Sequence, residues 1–197
     1  KWQDEQAETV LREIEWSPSR TGLINPVAIF DPVDLEGTEV RRASVHNVSV
    51  LRSLKLGLGD HILVYKANMI IPQIAENLTK SDTAEPPAHC PVCGTATERR
   101  KENDAETLYC VNPDCAIKRV KRFALMTSRD AFHIDGLSET TLEKLIQEGF
   151  IHRYADLFHL KRAEAAIAAM KGFGETSAAK LIEAAEKATH LPLSRFV

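Results

Sequence analysis

The sequence predicts a multidomain chain: a small all-β barrel, then a four-cysteine unit, then an all-α segment. Three observations predict it. Short apolar runs alternate with turn signals from Thr21 to Ala75, all four cysteines fall between Cys90 and Cys115, and apolar residues beyond Cys115 keep a helical spacing. A length of 197 residues allows one to three such units. Hydrophobic content of 44% with 27% charged residues fits a soluble globular class. No apolar run approaches the roughly 20 residues that span a bilayer, and no signal-peptide pattern opens the chain, so no membrane partner is expected. The formal charge of −3 does not advertise a polyanionic partner. Phosphate contacts depend on where cations cluster, however, and Lys118, Arg119, Lys121 and Arg122 form one cluster. The opening without Met and the apolar close at Phe196-Val197 are what a segment of a longer chain would show.

Thr9 to Trp16 is ambiguous by periodicity, since Val10, Leu11 and Ile14 suit a helix stripe while Val10, Ile14 and Trp16 suit strand alternation. The β signals that follow are Val27 to Phe30, His61 to Tyr65 and Met69 to Ile71. Turns at Asp31-Pro32, Glu36-Gly37-Thr38 and Gly57-Leu58-Gly59-Asp60 separate them. Between the runs, Val48 to Leu54 is long enough for one short helix, with Asn47 as its N-cap. Short strands around one small helix fit an OB-fold best. Thr79 to His89 is polar, contains Pro86-Pro87 and reads as a linker.

The cysteines stand as Cys90-x-x-Cys93 and Cys110-x4-Cys115. A two-residue gap lets both thiolates of a knuckle reach one metal about 2.3 Å away, and Zn²⁺ takes four such ligands tetrahedrally. Pro91, Gly94 and Asn112-Pro113 suit the tight turns. A closed four-thiolate site is structural, because it keeps no open position for water. Two disulfides or a thioredoxin-like pair are the alternatives, but no redox-fold pattern surrounds these cysteines. His89 is adjacent and reads as a bystander.

The helical region holds two related hairpin signatures. Lys171-Gly172-Phe173-Gly174-Glu175-Thr176-Ser177 leads directly into a helix that includes Lys180. Glycines let the hairpin turn tightly and let another backbone approach, and Phe173 would plug the groove between the helices. Free N–H groups at the second helix's start can hold a phosphate oxygen, with Thr176 and Ser177 adding hydroxyls and Lys180 a charge. An earlier copy runs from His133 through Gly136 to Leu145, with Ser138 in place of the second glycine. Plain αα-hairpin turns are the alternative. Gripping of this kind reads no base sequence.

Taken together, the order of units resembles the NAD-dependent bacterial DNA ligases: OB-fold, four-cysteine zinc finger, helix–hairpin–helix domain. The likeness rests on Arg20-Thr21-Gly22-Leu23-Ile24-Asn25-Pro26, Arg42-Ala43-Ser44-Val45-His46-Asn47, Lys66-Ala67-Asn68-Met69-Ile70-Ile71-Pro72 and His133 to Leu137. It implies a strand for Thr9 to Trp16. The expected division is residues 1–8 as the end of an adenylation domain, 9–79 OB-fold, 80–118 zinc finger with linker, and 119–197 helix–hairpin–helix.

The resemblance implies a three-step reaction in the parent enzyme, with NAD⁺ and Mg²⁺ or Mn²⁺ as cofactors. A lysine attacks the NAD α-phosphate and releases nicotinamide mononucleotide. The AMP passes to the 5′-phosphate of a nick, and the 3′-hydroxyl displaces it to seal the strand in replication and repair. The nucleophilic lysine belongs to a domain outside this chain, so the chain alone is expected to be inactive. Lys1 matches the last lysine of the closing adenylation motif and would contact the adenylate phosphate; a solvated terminal side chain is the plain alternative. Arg20 and Thr21 would contact phosphates near the nick, and Lys66 would do so from the barrel surface. Ile70 and Ile71 would pack on the minor groove, though one of them is expected to be barrel core. Gly136, Gly172, Gly174, Thr176 and Lys180 complete the DNA-binding set. The sequence departs from the family in having Lys66 where Arg is usual, which loses bidentate geometry, and Asn68-Met69 where Gly-Asp is usual.

The resemblance further implies a monomer in the bacterial cytoplasm whose partner is nicked duplex DNA, with NAD bound through the missing domain. The basic cluster after Cys115 serves either phosphates or the negative charge of a zinc–tetrathiolate. A stand-alone, non-catalytic zinc and hairpin DNA-binding module is the competing reading. A nuclease would need convergent carboxylates, which Glu102, Asp104 and Glu106 in one loop do not promise.

Overall fold

The computed structural model describes residues 5–190 and divides into two compact units, 1–115 and 116–197. Lys1 lies outside the described residues.

The first unit is built on β1 (Gln6–Pro18), β2 (Leu23–Leu35), β3 (Thr38–Ser44), β4 (His61–Ala67) and β5 (Ile71–Asn77). Neighbours run β1-β4-β5-β3-β2, and β1 also pairs with β2, so the five strands close into a barrel. Every pairing is antiparallel except β3 with β5. This order, with helix α1 (Val48–Ser53) between β3 and β4, is the expected OB-fold arrangement. Period-two patterning explains the strands: Ile24, Pro26, Ala28 and Phe30 of β2 are buried while the residues between them are not. The core comprises Leu11, Ala28, Phe30, Leu35, Val40, Leu51, Leu56, Ile62 and Val64, among others. Asn47 caps α1 as expected, its Oδ1 accepting from the Val50 N–H at 3.0 Å.

Beyond the barrel the structure adds a hairpin that the sequence reading missed, β6 (Thr97–Glu102) and β7 (Ala105–Cys110). Its turn uses Asn103 and Asp104, both at positive φ (47° and 63°), residue types that tolerate this region. The supposed linker is also more than a tether. Backbone N–H groups of Asp82 and Ala84 donate to the carbonyls of Lys55 and Leu56 at 2.9 Å, lashing the segment along the barrel.

The second unit is helical: α2 (Ala116–Thr127), α3 (Glu139–Gln147), a 3₁₀ segment Tyr154–Ala163, α4 (Glu164–Ala168) and α5 (Glu175–Ala188). The apolar spacing seen in sequence is the buried face, with Leu142 and Leu145 of α3 meeting Ala178, Leu181, Ile182 and Ala185 of α5 in one core. Arg119 of the basic cluster is part of this scaffold, donating to the Ile151 and His152 carbonyls, and Lys118 is buried.

Asp60 is the polar pin of the barrel. It is buried, and Asn77 Nδ2 donates to its Oδ2 at 2.7 Å while also bonding the Leu54 and Lys55 carbonyls. Burial pushes the carboxyl up, yet hydrogen bonds from Ser81 and Asn77 outweigh it and hold the group below its ordinary value. A lowered folded pKa stabilises fully above the unfolded value of about 3.9 and is lost as pH falls through the folded one. Asp60→Ala is therefore expected to cost about 2 kcal/mol near neutral pH, and less near pH 3. Thermal melts of both proteins at the two pH values check it.

Candidate metal centre and nucleic-acid interface

Cys90 and Cys93 sit on a tight turn in which the Gly94 N–H returns to the Cys90 carbonyl at 2.9 Å, and Gly94 takes φ +69°. Cys110 ends β7, and Cys115 follows a second turn in which the Asp114 N–H bonds Asn112 Oδ1 at 2.9 Å. The four sulfur atoms lie within 4.8 Å of one another, with Cys93 and Cys110 Sγ 3.6 Å apart. Tetrahedral zinc with bonds of about 2.3 Å requires sulfur separations near 3.8 Å, so the set fits that ion. No two of the four are joined by a disulfide, which speaks against the disulfide alternative. His89 is exposed and pairs through its backbone with Ala96, as a bystander should.

The thiols are unequal. Hydrogen bonding with Thr95, its side chain first, lowers Cys93 to about 6, while burial pushes Cys110 up to about 12. A divalent cation binding here must displace thiol protons, and the Cys110 proton is harder to release than that of Cys93.

The metal hairpin is joined directly to the barrel. β7 pairs with β2 through Leu23–Tyr109 and Ile24–Leu108, the Cys110 N–H donates to the Gly22 carbonyl at 2.8 Å, and Glu106 holds Arg52 at 2.5 Å. The other side of that bond is the Ser19-Arg20-Thr21-Gly22 turn, closed by the Gly22 N–H to Ser19 carbonyl bond at 3.0 Å, with Gly22 at φ +96°. Arg20 and Thr21 are exposed there. Arg20 has no partner among the described residues, and Thr21 Oγ1 meets only Ser19 Oγ, at 3.0 Å.

β4, β5 and the tip between them correct three expectations. Neither isoleucine is core: Ile70 is 76% and Ile71 50% exposed, with Met69 beside them at 72%. Asn68 and Met69 both take positive φ, so Met69 and Ile70 form a turn and not a strand. Lys66, expected on the barrel surface, is only 8% exposed and lies along β4 opposite Pro72, leaving at most its ammonium tip near solvent. Met69 was missed, although an apolar run caught between Asn68 and Pro72 was its signal. The Arg99-Arg100-Lys101 run on β6 was also passed over, but each cation faces a carboxylate: Glu106, Glu98 and Asp104 respectively.

In the helical unit Gly136 and Gly172 take φ +87° and +89°, as tight hairpin turns require. Gly174 differs. Its backbone is extended (φ −153°) and a Cβ there would meet nothing within 4 Å, so the fold itself does not demand glycine. At the equivalent place Ser138 caps α3, its Oγ accepting the Thr141 N–H at 3.2 Å. Gly174 supplies no such cap, which leaves the first-turn N–H groups of α5 open beside exposed Thr176, Ser177 and Lys180. Phe173 packs against the core, as a groove plug would. A groove of about 450 Å³ lies between the hairpins, lined by Gly136, Thr141, Lys144, Gly172, Ser177 and Lys180 among others.

Comparison with known proteins bears on both features. A family profile described as the NAD-dependent DNA ligase OB-fold domain matches residues 8–86, and one for the NAD-dependent DNA ligase C4 zinc finger domain matches 89–116. The chain belongs to the NAD-dependent DNA ligase family. It is 56% identical over 197 residues to a DNA ligase of Lachnoclostridium phytofermentans, covering all of this chain and 30% of that one. It is 57% identical over 188 residues to a DNA ligase of Ruminiclostridium cellulolyticum (95% of this chain, 29% of that one). With a DNA ligase of Thermosipho africanus the identity is 36% over 197 residues (98% and 29%). The chain thus spans about 30% of the length of these relatives. Among the described residues no helix is long and apolar enough to cross a membrane.

One zinc per chain is expected by elemental analysis, with Cys115→Ser falling well below half occupancy because three thiolates leave the site open. Full occupancy in that variant would remove Cys115 from the ligand set.

Proposed function

We propose that this chain is the DNA-gripping portion of an NAD-dependent DNA ligase, holding nicked duplex while an adenylation domain elsewhere in the parent performs the chemistry. The observation that carries the reading is the Cys110–Gly22 bond. It makes the family's zinc finger and its Arg20-Thr21 turn one continuous piece of β-sheet, with an unpartnered guanidinium displayed at the edge.

In this reading Cys90, Cys93, Cys110 and Cys115 hold a structural zinc that takes no part in bond making. Arg20 and Thr21 take phosphates near the nick. Met69, Ile70 and Ile71 form an apolar knuckle suited to the minor groove, where apolar wedges pack against the sugar and base edges. The hairpins at Gly136 and Gly172, with Gly174, Thr176 and Lys180, grip the backbone without reading sequence, as a helix–hairpin–helix domain does. Lys66, only 8% exposed, contributes at most through its ammonium group. The domain limits proposed are 1–8, 9–79, 80–118 and 119–197, with Lys1 contacting the adenylate phosphate. NAD⁺ and Mg²⁺ or Mn²⁺ would serve the parent enzyme, a cytoplasmic monomer acting in replication and repair. Charge developing on phosphate oxygens during transfer would be met there by those cations. Catalysis by this chain alone is not expected, since the family's nucleophilic lysine belongs to an adenylation domain that this reading places elsewhere in the parent.

A stand-alone binding module would share these contacts, and the family membership argues against it. Convergent carboxylates for a nuclease are not found among the described residues; Glu106 is committed to Arg52 and Arg99.

Binding to nicked duplex is expected to lose roughly 0.9 log units of affinity per log unit of salt for each phosphate neutralised. Arg20→Ala should weaken binding about tenfold and make that slope shallower by about 0.9, while Lys55→Ala, an exposed lysine away from the turn, leaves both unchanged. Equal effects of the two substitutions would take Arg20 out of the interface. Incubation with labelled NAD⁺ is expected to leave the chain unlabelled.

A further inference from the structure

The two hairpins are sequence repeats, and Lys144 and Lys180 occupy the same place in each, eight residues beyond Gly136 and Gly172. The structure treats them differently. Lys144 Nζ, on α3 of the first hairpin, crosses to the second and donates to the Lys171 carbonyl at 3.0 Å. A Cβ on the adjoining Gly172 would lie 3.1 Å from the same nitrogen, so the ammonium fills the space that a side chain there would occupy. The reciprocal reach is not made. Lys180 has no partner among the described residues, and the first hairpin's Gly136 faces only the Leu181 methyl at 3.7 Å. Both lysines line the groove between the hairpins.

We infer that Lys144 is a positioning residue. Its ammonium clasps the Lys171–Gly172 turn and sets the open first turn of α5 for a backbone phosphate, while Lys180 is the lysine that meets the phosphate. This rests on the DNA-gripping reading above. A cation bonded to a carbonyl is spent on holding the turn, whereas an exposed cation without a partner is available to a polyanion. The clasp also gives a reason for glycine at 172 beyond its φ of +89°, since any Cβ would press on the Nζ that holds the turn.

The test uses the zinc-loaded chain with Lys144→Met, Lys180→Met and the double substitution. Met keeps the apolar stem and removes only the donor. Lys144→Met is expected to speed amide exchange at Phe173, whose N–H bonds the Met170 carbonyl at 2.9 Å, while α5 amides near Ala185 hold their rates. It should weaken nicked-duplex binding about fivefold, with Lys144→Arg restoring most of the loss. In the Lys180→Met background, adding Lys144→Met should leave the salt slope unchanged. A further drop of about 0.9 would show that Lys144 neutralises a phosphate itself and would overturn the assignment. Unchanged exchange at Phe173 would overturn the clasp irrespective of DNA. Failure of the parent chain to bind duplex would instead sink the DNA-gripping reading, and the exchange measurement would still decide the clasp.

Discussion

Closure of the barrel depends on one strand serving two neighbours. β1 pairs with β4 from Gln6 to Val10 and with β2 from Leu11 to Pro18, and the pairing with β2 slips between Leu11 and Glu13. A bulge bends a strand and raises its twist, which lets β1 leave one neighbour for the other. At the changeover Leu11 is fully buried, and its backbone is taken up by the loop before β4, its N–H by the Asp60 carbonyl and its carbonyl by the Gly59 N–H. Asp60 therefore serves the barrel twice, through its backbone at the bulge and through its carboxylate beneath Asn77. Without that junction the sheet would have open edges at β1 and β2, and the turn carrying Arg20 would hang from an unpaired strand end.

The metal hairpin inherits its position from the same closure. Among the described residues between Cys90 and Cys115, the buried side chains are Leu108 and three of the cysteines. So little apolar surface cannot hold a fold by itself. Two supports replace a core: the thiol cluster, and the pairing of β7 with β2 at Leu23 and Ile24. Because Cys110 is both a member of the cluster and the donor to Gly22, the ion's site and the Arg20 turn share one backbone hydrogen bond. A metal that performs no chemistry would thus still fix where the Arg20 guanidinium stands, which is what the proposed grip requires.

Elements whose cause is local were legible in the sequence. Short apolar runs between turn signals gave β2 and β4, Asn47 announced α1, and the spacing of Leu142 with Leu145 and of Leu181 with Ile182 gave the buried faces of α3 and α5. The four cysteines were legible for the same reason, since ligand spacing is a local property. What could not be read depended on contacts distant in sequence. β6 and β7 form because β7 finds the free edge of β2 some eighty residues earlier. Ile70 and Ile71 carry the composition of core, yet Asn68 and Met69 at positive φ turn them outward. Lys66 has a surface residue's composition and a buried residue's register. Exposure at a strand end depends on where the strand stops, and hydropathy does not encode that.

The hairpins show how a repeat can keep one geometry and divide the labour. Gly136 and Gly172 are kept because the turn needs positive φ, and both copies obey that constraint. Ser138 and Gly174 stand where no such constraint operates, so there the copies were free to diverge. With serine, the hydroxyl occupies the Thr141 N–H and the helix end is satisfied internally. With glycine, the donors of α5 stay open and no side chain bars the approach of another backbone. Glycine in place of a serine cap costs a helix roughly a few tenths of a kcal/mol, and α5 carries that cost. The sequence thus gives up local stability at the one hairpin whose neighbouring lysine is also unpartnered, while the first hairpin spends both its serine and its lysine on holding the scaffold. On the proposed reading, stability is surrendered at the place where a phosphate would supply the missing acceptor.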